Sequence, residues 1–352
     1  MKKLLKSISM ILCLSMIFVL AGCSKGGDNA TDIMILVPNA DHGWTGAVLN
    51  YAKEKADEIN KAGKHTAKVL SSTDAANQIS QIEDIIANKS AGSVVILPMD
   101  NTLESTMKKL ASSDIPFVMF DRIIDSVADT AVSSVKGDNE GIGYETVMRF
   151  SKNDLKVGDK IYAFIGDTSS VPEMRNDGFK KGLKELGWTD KDISENVTFS
   201  AATGWSRATG KQMFVDWINS LNAQQIGEYD YIFTHDDEIA MGILEALKGT
   251  EIEQSKKDAF LNGDVTLAAS SGLNEIYSVI KGNHEKDYTK EVSKLKDLFS
   301  VTYDPAMIQI AIDDMVKHLD GEKVEKEHVV PVDVVDKTNV DNFKGFGDAV
   351  SK

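Results

Sequence analysis

The segment IPFVMFDR, residues 115–122, carries the sharpest chemical signal in the chain. Four consecutive apolar residues, Phe117 to Phe120, predict a strand buried on both faces. The strand ends on a carboxylate, Asp121, beside a guanidinium, Arg122. Such a pair is either a surface ion pair or the polar lip of a pocket. The same ending recurs along the chain, with Asp100 after VVILPM, Asp167 after YAFIG, and His235-Asp236-Asp237 after YIFT. One carboxylate at a strand end can simply cap the next helix. Several of them on parallel strands share one sheet edge, and open parallel sheets bind ligands there. Bond-making chemistry has little support. The sequence holds no Gly-rich phosphate loop, paired-His metal motif, nucleophile elbow or Cys–His pair. The piece SGLNEIYSVIKGN lacks the spacing of a dinucleotide fingerprint, and SKNDLKVGDK lacks the alternation of a calcium loop. His65, His284, His318 and His328 fall in helix ends or charged loops and are expected to be solvated. No enzyme activity, metal or cofactor is expected.

The elements that must position these residues alternate from Asp32 onward. IMILV (33–37), AKVLSS, SVVILPMD and PFVMFD predict strands. Between them, GAVLNYAKEKADEINKAG places Val48, Ala52, Ala56 and Ile59 on one helical face, and NQISQIEDIIANK places Ile79, Ile82 and Ile86 on another. NTLESTMKKLASS predicts a third helix. The alternation then starts again: strands KIYAFIGD, NVTFSA, YDYIFTHDD and DAFLNGD, with helices PEMRNDGFKKGLKELG, RATGKQMFVDWINSLN and EIAMGILEALKG. After LFSVTYDP come a further helix, AMIQIAIDDMVKHLDG, and a closing strand, HVVPVDVVD. Strict strand–helix alternation means parallel βαβ units with helices on both sheet faces. Two successive halves of similar size predict two Rossmann-like lobes, and polar strand ends on both halves suit two rims facing across a cleft.

The N-terminal 23 residues read as an export signal. Lys2, Lys3 and Lys6 precede an apolar run, Ile8 to Leu20, which is too short for a membrane span. Leu20-Ala21-Gly22-Cys23 resembles a bacterial lipobox, so residues 1–22 are expected to be a lipoprotein signal peptide and Cys23 the lipidated residue. The polar residues 23–31 would then form a tether. Both cysteines of the chain, Cys13 and Cys23, are accounted for in this way, leaving no thiol for disulfides or catalysis. The net charge is −15, and three lysines lie in the leader, so the mature chain is more acidic still. That excludes nucleic acid as a natural partner and leaves the lipid, rather than charge, to hold the chain at a membrane.

The order of several segments gives a family resemblance over roughly Asp32 to Phe343. They are DHGWTGAVLNYAKEKA, QISQIEDIIANKSAGSVVILPMD, IPFVMFDR, MRNDGFKKGLKEL, FTHDDEIAMGILEALKG and VTYDPAMIQIAIDDM. Together with the lipobox they resemble the extracytoplasmic solute-binding proteins of bacterial sugar ABC transporters, of the ribose- and galactose-binding type. That fold is shared with the ligand core of lactose-repressor-like regulators, but this chain opens on an export signal instead of a helix-turn-helix. The resemblance implies two lobes joined by three crossovers near Lys136-Asp138, Tyr303-Asp304 and Val332-Val335. The N-terminal lobe would be 32–136 plus 304–332, and the C-terminal lobe 138–302 plus 335–352. Segment 273–298, longer and more charged than the family norm, reads as a surface insertion.

The resemblance also implies a ligand site. Trp44, placed before the first helix, matches an aromatic that stacks on a sugar ring, with His42 and Thr45 beside it. His42 stands where the family usually has Asn or Asp. Asp121 and Arg122 match the family's strand-end pair: the carboxylate accepts from hydroxyls and the guanidinium donates a planar fork to adjacent oxygens. Arg175 matches the second-lobe arginine, and Trp205 an aromatic facing Trp44 to sandwich the ring. Asp236 stands where Asn is common, Asp264 matches an Asp at the next strand end, and Tyr303 a polar hinge residue. The expected role is capture of a monosaccharide or sugar-like polyol by a monomeric, lipid-anchored protein that delivers it to an ABC permease. A sensory protein presenting its ligand to a chemoreceptor or histidine kinase has the same fold. His42 and Asp236, both off the family pattern, leave room for a furanosyl signal or a nucleoside as ligand.

Overall fold

The computed structural model describes residues 31–40, 43–261 and 265–347. The expected leader, Cys23, residues 23–30 of the tether, His42, Asp264 and residues 348–352 lie outside the described residues.

Strands β1 (Thr31–Pro38), β2 (Ala67–Ser72), β3 (Ala91–Ile96), β4 (Phe117–Phe120) and β5 (Ser133–Gly137) build one sheet. Strands β6 (Lys160–Phe164), β7 (Val197–Phe199), β8 (Tyr229–Thr234), β9 (Thr266–Ser271) and β10 (Asp297–Thr302) build a second. The last two, β11 (Glu327–Val330) and β12 (Val334–Val335), add one strand to each. The orders are β11-β5-β4-β3-β1-β2 and β12-β10-β9-β8-β6-β7. Every pairing is parallel except β12, which runs antiparallel to β10.

Helices α1 (Gly43–Ala62), α2 (Ala75–Asn88) and α3 (Glu104–Ala111) connect strands of the first sheet. Helices α4 (Asn139–Lys152), α5 (Ser170–Glu185), α6 (Arg207–Ser220), α7 (Asp237–Lys248), α8 (Gln254–Leu261) and α9 (Asn274–Lys281) belong with the second. Helix α10 (Met307–Leu319) returns to pack on β3, β4, β5 and α1. Strand β1 shows how both faces are covered. Its side chains alternate, so Ile33, Ile35 and Val37 join a core containing Val48 and Ala52, while Met34 and Leu36 join Ile82, Ile85 and Met107. Each such side chain taken out of water stabilises the fold by about 1.5–3 kcal/mol. Among the described residues the chain passes between the two halves at three places, around residues 138, 303–306 and 331–333.

Several expectations are corrected. DAFLNGD is not a strand: its first four residues end α8, with Phe260 and Leu261 buried. The strand is TLAASS, all six residues of which are buried in β9. Its small side chains carry little β signal but fit between two neighbouring strands. HVVPVDVVD is two strands in two sheets, separated at Pro331, which has no N–H for a ladder. Segment 273–298 is not a surface insertion. It contains α9, which connects β9 to β10 and buries Ile276, Tyr277, Val279 and Ile280. His284 is not solvated: it is 2% exposed, with Nε2 3.1 Å from Glu275. His65 and His328 are partly buried against Asp320 and Asp314. The buried stripe of α2 is Gln78, Ile82 and Ile85, with Ile79 and Ile86 only half-buried.

Candidate functional site

The strand ends of the two sheets meet around a small cavity. It is lined by Trp44, Asp121 and Arg122 from one half, by Val171, Arg175, Trp205, Asp236 and Ser271 from the other, and by Tyr303 at the crossing. Its volume is about 30 Å³, room for a single water. An open cleft of about 470 Å³ adjoins it, with Asp121 in both walls.

Tyr303 organises the centre. It follows β10 and its ring lies against Gly137, where a Cβ would collide with it. Its hydroxyl donates to Asp121 and accepts from Asn139 Nδ2 at 3.0 Å. Its backbone carbonyl accepts from Trp44 Nε1 at 2.9 Å. Burial and then the Asp121 carboxylate push the phenol far above its usual range, so it stays a donor. Asp121 follows β4 with φ +62°, a left-handed backbone that the surrounding structure must enforce. Burial raises its pKa, opposed by Arg122, Tyr303 and Arg175.

Arg122 does not pair with its neighbour. Nη1 donates to the Met99 carbonyl at 2.6 Å, and Nη2 lies 3.6 Å from Asp167 on the opposite half, which leaves its buried Nε without a partner. Asp167 accepts from the Ser169 amide and hydroxyl. Burial pushes its pKa up, but Ser169, Trp205 and Arg122 hold it below the usual value.

Arg175, on α5, is 3% exposed. Nε donates to Asn139 Oδ1 at 3.0 Å and Nη1 to the His235 carbonyl. Its guanidinium sits 5.2 Å from the Trp205 ring centre and 5.0 Å from that of Tyr303. Trp205 has φ +59°, and its ring lies on Gly166, where any Cβ would strike it. His235 is fully buried, and burial together with Arg175 drives its pKa well down, so it is neutral.

Asp236 caps α7 by accepting from Glu238 N at 2.8 Å. Asp237 is buried behind it and accepts from the Gly272 and Leu273 amides, both at 2.6 Å, and from Ser300 at 2.8 Å. Burial outweighs these bonds and moves its pKa up to about 6. A carboxyl whose folded pKa exceeds its unfolded value contributes stability at low pH that is lost as pH rises through about 6. Asp237→Asn keeps the acceptor and removes the titration. In denaturant titrations the variant is therefore expected to gain stability relative to wild type between pH 4.5 and 7.5. A constant difference across that range would contradict this reading of Asp237.

Of the residues singled out in the sequence, Trp44, Asp121, Arg122, Arg175, Trp205, Asp236 and Tyr303 line the one cavity. Thr45 is buried in the first turn of α1 and is not part of the lining. His42 and Asp264 are outside the described residues. Trp44 lies inside the first turn of α1, not before the helix, and stacks on Phe120 with centroids 6.0 Å apart and planes 10° apart. Trp205 faces Arg175 and Gly166, so the expected aromatic sandwich is shared with a guanidinium. Val171, Ser271 and Asn139 were missed. The sequence signal for Ser271 was the end of TLAASS, hidden by the misplaced strand.

The chemistry available is recognition: aromatic faces, buried carboxylate acceptors and guanidinium donors. Among the described residues, no group of three His, Cys, Asp or Glu could hold a metal ion. A model of the periplasmic binding protein domain matches residues 33–323. The chain is 24% identical to a putative rhizopine-binding protein of Rhizobium meliloti, covering 88% of this chain and 96% of that one. It is also 24% identical to the ribose import binding protein of Bacillus subtilis, over 93% of this chain and 97% of that one. In fold it is similar to an ABC transporter solute binding protein from Bacillus halodurans with bound myo-inositol (TM-score 0.70, 20% identity, 90% and 98% covered). It is likewise similar to a galactofuranose binding protein (TM-score 0.69, 19% identity, 89% and 96% covered).

Proposed function

The chain belongs to the periplasmic binding protein domain family, and from that premise we propose that it captures a monosaccharide or sugar-like polyol between its lobes and delivers it to an ABC importer. The family consists of binding proteins rather than enzymes, and its location is extracytoplasmic. The observation that carries the reading is the cavity where both sheets end, with Trp44 and Trp205 beside Asp121, Arg122 and Arg175. Aromatic faces suit the C–H face of a sugar ring, and the charged groups suit its hydroxyls.

A space of about 30 Å³ is far smaller than a sugar ring, so the ligand enters with the lobes apart and is enclosed as they close. The three crossings serve as the hinge, joining lobe 32–136 plus 304–332 to lobe 138–302 plus 335–352. Closure is driven only by tighter binding to the closed state than to the open one. Arg122 and Asp167, facing each other across the cleft at 3.6 Å, would close with it.

Cys23 carries the lipid in this account, and Cys23→Ala should move the protein from the membrane fraction to the supernatant; retention in the membrane would remove the anchor. Function is tested by a thermal-shift screen of residues 24–352 against pentoses, hexoses, polyols and nucleosides, since a ligand that binds only the folded state raises the melting temperature. A rise with one sugar and not its epimers supports the reading. No rise with any of them, and no small molecule released on denaturation, would overturn it. The same ligand feeding a sensor would show instead as capture of a receptor ectodomain in place of a permease.

A further inference from the structure

We propose that a second pocket, built on the hinge and separate from the cavity between the sheets, binds a small organic ammonium ion. This pocket measures about 320 Å³, within the range of small-molecule sites. Of its lining residues only Ser271 also lines the cavity described above. The proposal does not depend on what that cavity holds.

Three parts of the chain build the walls. Tyr277 comes from α9, Asp304 and Asp333 from two of the three crossings, and Phe343 and Phe346 from the C-terminal segment. Backbone bonds fix their places. The Thr302 amide donates to the Asp333 carbonyl at 2.9 Å, and the Asp333 amide to Thr302 Oγ1 at 2.8 Å, so the two crossings are tied together. The Phe346 amide donates to the Gly272 carbonyl at 3.0 Å, and the Phe346 carbonyl accepts from Asn274 N at 2.8 Å, which seats the C-terminal segment against the start of α9.

Two observations point to a ligand, and to a cation. First, Tyr277 is 4% exposed, and among the described residues its hydroxyl makes no hydrogen bond. A buried hydroxyl without a partner is uncommon and unfavourable. The hydroxyl reaches the pocket wall at Gly272, where a Cβ would come within 2.9 Å of its oxygen. Second, among the described residues neither Asp304 nor Asp333 forms an ion pair, although the exposed Lys344 lies in the same wall. Asp304 Oδ1 accepts from the Ala306 amide at 2.8 Å, and the Asp333 carboxylate accepts no bond among the described residues. Burial, then Asp237, Asp304 and Asp333 in that order, push the Tyr277 phenol far above its usual range, which puts its hydroxyl in the field of both unpaired carboxylates. Asp237 is already bonded to two backbone amides and the Ser300 hydroxyl.

A primary ammonium brings the missing positive charge, and its N–H groups can donate to the phenol oxygen and to the carboxylates. Phe343 and Phe346 offer apolar faces to its carbon substituent. An anion would be repelled by the two carboxylates. Among the described residues no group of three His, Cys, Asp or Glu could hold a metal ion.

The test is calorimetric titration of wild type with benzylamine, with its neutral analogue benzyl alcohol and with the benzoate anion. Benzylamine should bind saturably, and tenfold or more tightly than either analogue. The double variant Asp304→Asn/Asp333→Asn keeps an acceptor for the Ala306 amide, and Tyr277→Phe keeps the ring in the core. The first should weaken benzylamine binding at least tenfold and the second at least threefold, with melting curves checking that both fold. No binding of benzylamine, equal binding of benzyl alcohol, or an affinity unchanged in either variant overturns the proposal. None of these outcomes bears on the cavity between the sheets.

Discussion

Arg175→Ala is expected to cost the fold about 3–5 kcal/mol and to abolish tight ligand binding. Arg175 is buried among Asp121, Asp167 and Asp236 and, among the described residues, is the only guanidinium fully enclosed with them. Its removal leaves the His235 carbonyl and Asn139 Oδ1 without their donor, each loss worth about 1–3 kcal/mol in a dry site, and leaves the carboxylates without their nearest compensating charge. It also separates Trp205 from Tyr303, between which the guanidinium is stacked. The loss should be smaller at pH 4.5 than at pH 7.5, because Asp121 and Asp236, both raised by burial, take up protons more readily in acid. Urea midpoints at the two pH values measure this. Arg175→Lys keeps a charge but not the planar fork, and should recover part of the stability and little of the binding. Equal midpoints for wild type and Arg175→Ala would mean that the guanidinium is not the electrostatic keystone of the site.

Trp44→Ala ranks second, with an expected stability loss of about 3–5 kcal/mol. Trp44 is 7% exposed and belongs to the core and to the cavity wall at once. Its ring stacks on Phe120, and its indole N–H ties the first turn of α1 to the Tyr303 carbonyl, 259 residues away in sequence. Trp44→Phe separates the two roles. It preserves most of the packing and deletes the N–H, so it should cost about 1–2 kcal/mol and weaken ligand binding through altered placement of Tyr303. Guanidinium titrations of the two variants give the comparison. A Phe variant as unstable as the Ala variant would show that the hydrogen bond, and not the ring, carries the energy.

The two-lobed architecture was legible in the sequence because parallel strands covered on both faces are short continuous apolar runs, and FVMF, YAF and YIFT are unambiguous on that count. The polar residues closing those runs were equally visible, and Asp121, Arg122, Asp236 and Tyr303, with the helical Arg175 and with Trp44 and Trp205, were read as parts of one site that the structure brings together. What escaped were contacts whose partners lie far apart in the chain. Nothing local to Tyr303 shows that its hydroxyl meets Asp121 across 182 residues and Asn139 across 164. TLAASS escaped because Ala and Ser are poor strand formers whose small size is an advantage only between β8 and β10. Phe260 and Leu261 imitated a strand because a short apolar pair fits either period. His284 looked solvated among charges, yet those charges include Glu275, with which it is buried.

The central claim is that a sugar-like ligand is held at the junction of the two lobes. The most direct test is calorimetric titration of the ligand identified by thermal shift into wild type and into Arg122→Ala. Arg122 is half-buried, so its loss should leave the fold intact while removing the buried Nε donor and the link to Asp167. The account predicts saturable one-to-one binding to wild type and a loss of 100-fold or more in the variant, about 2.7 kcal/mol or more. Identical affinity in the two proteins would place the ligand elsewhere and contradict the account.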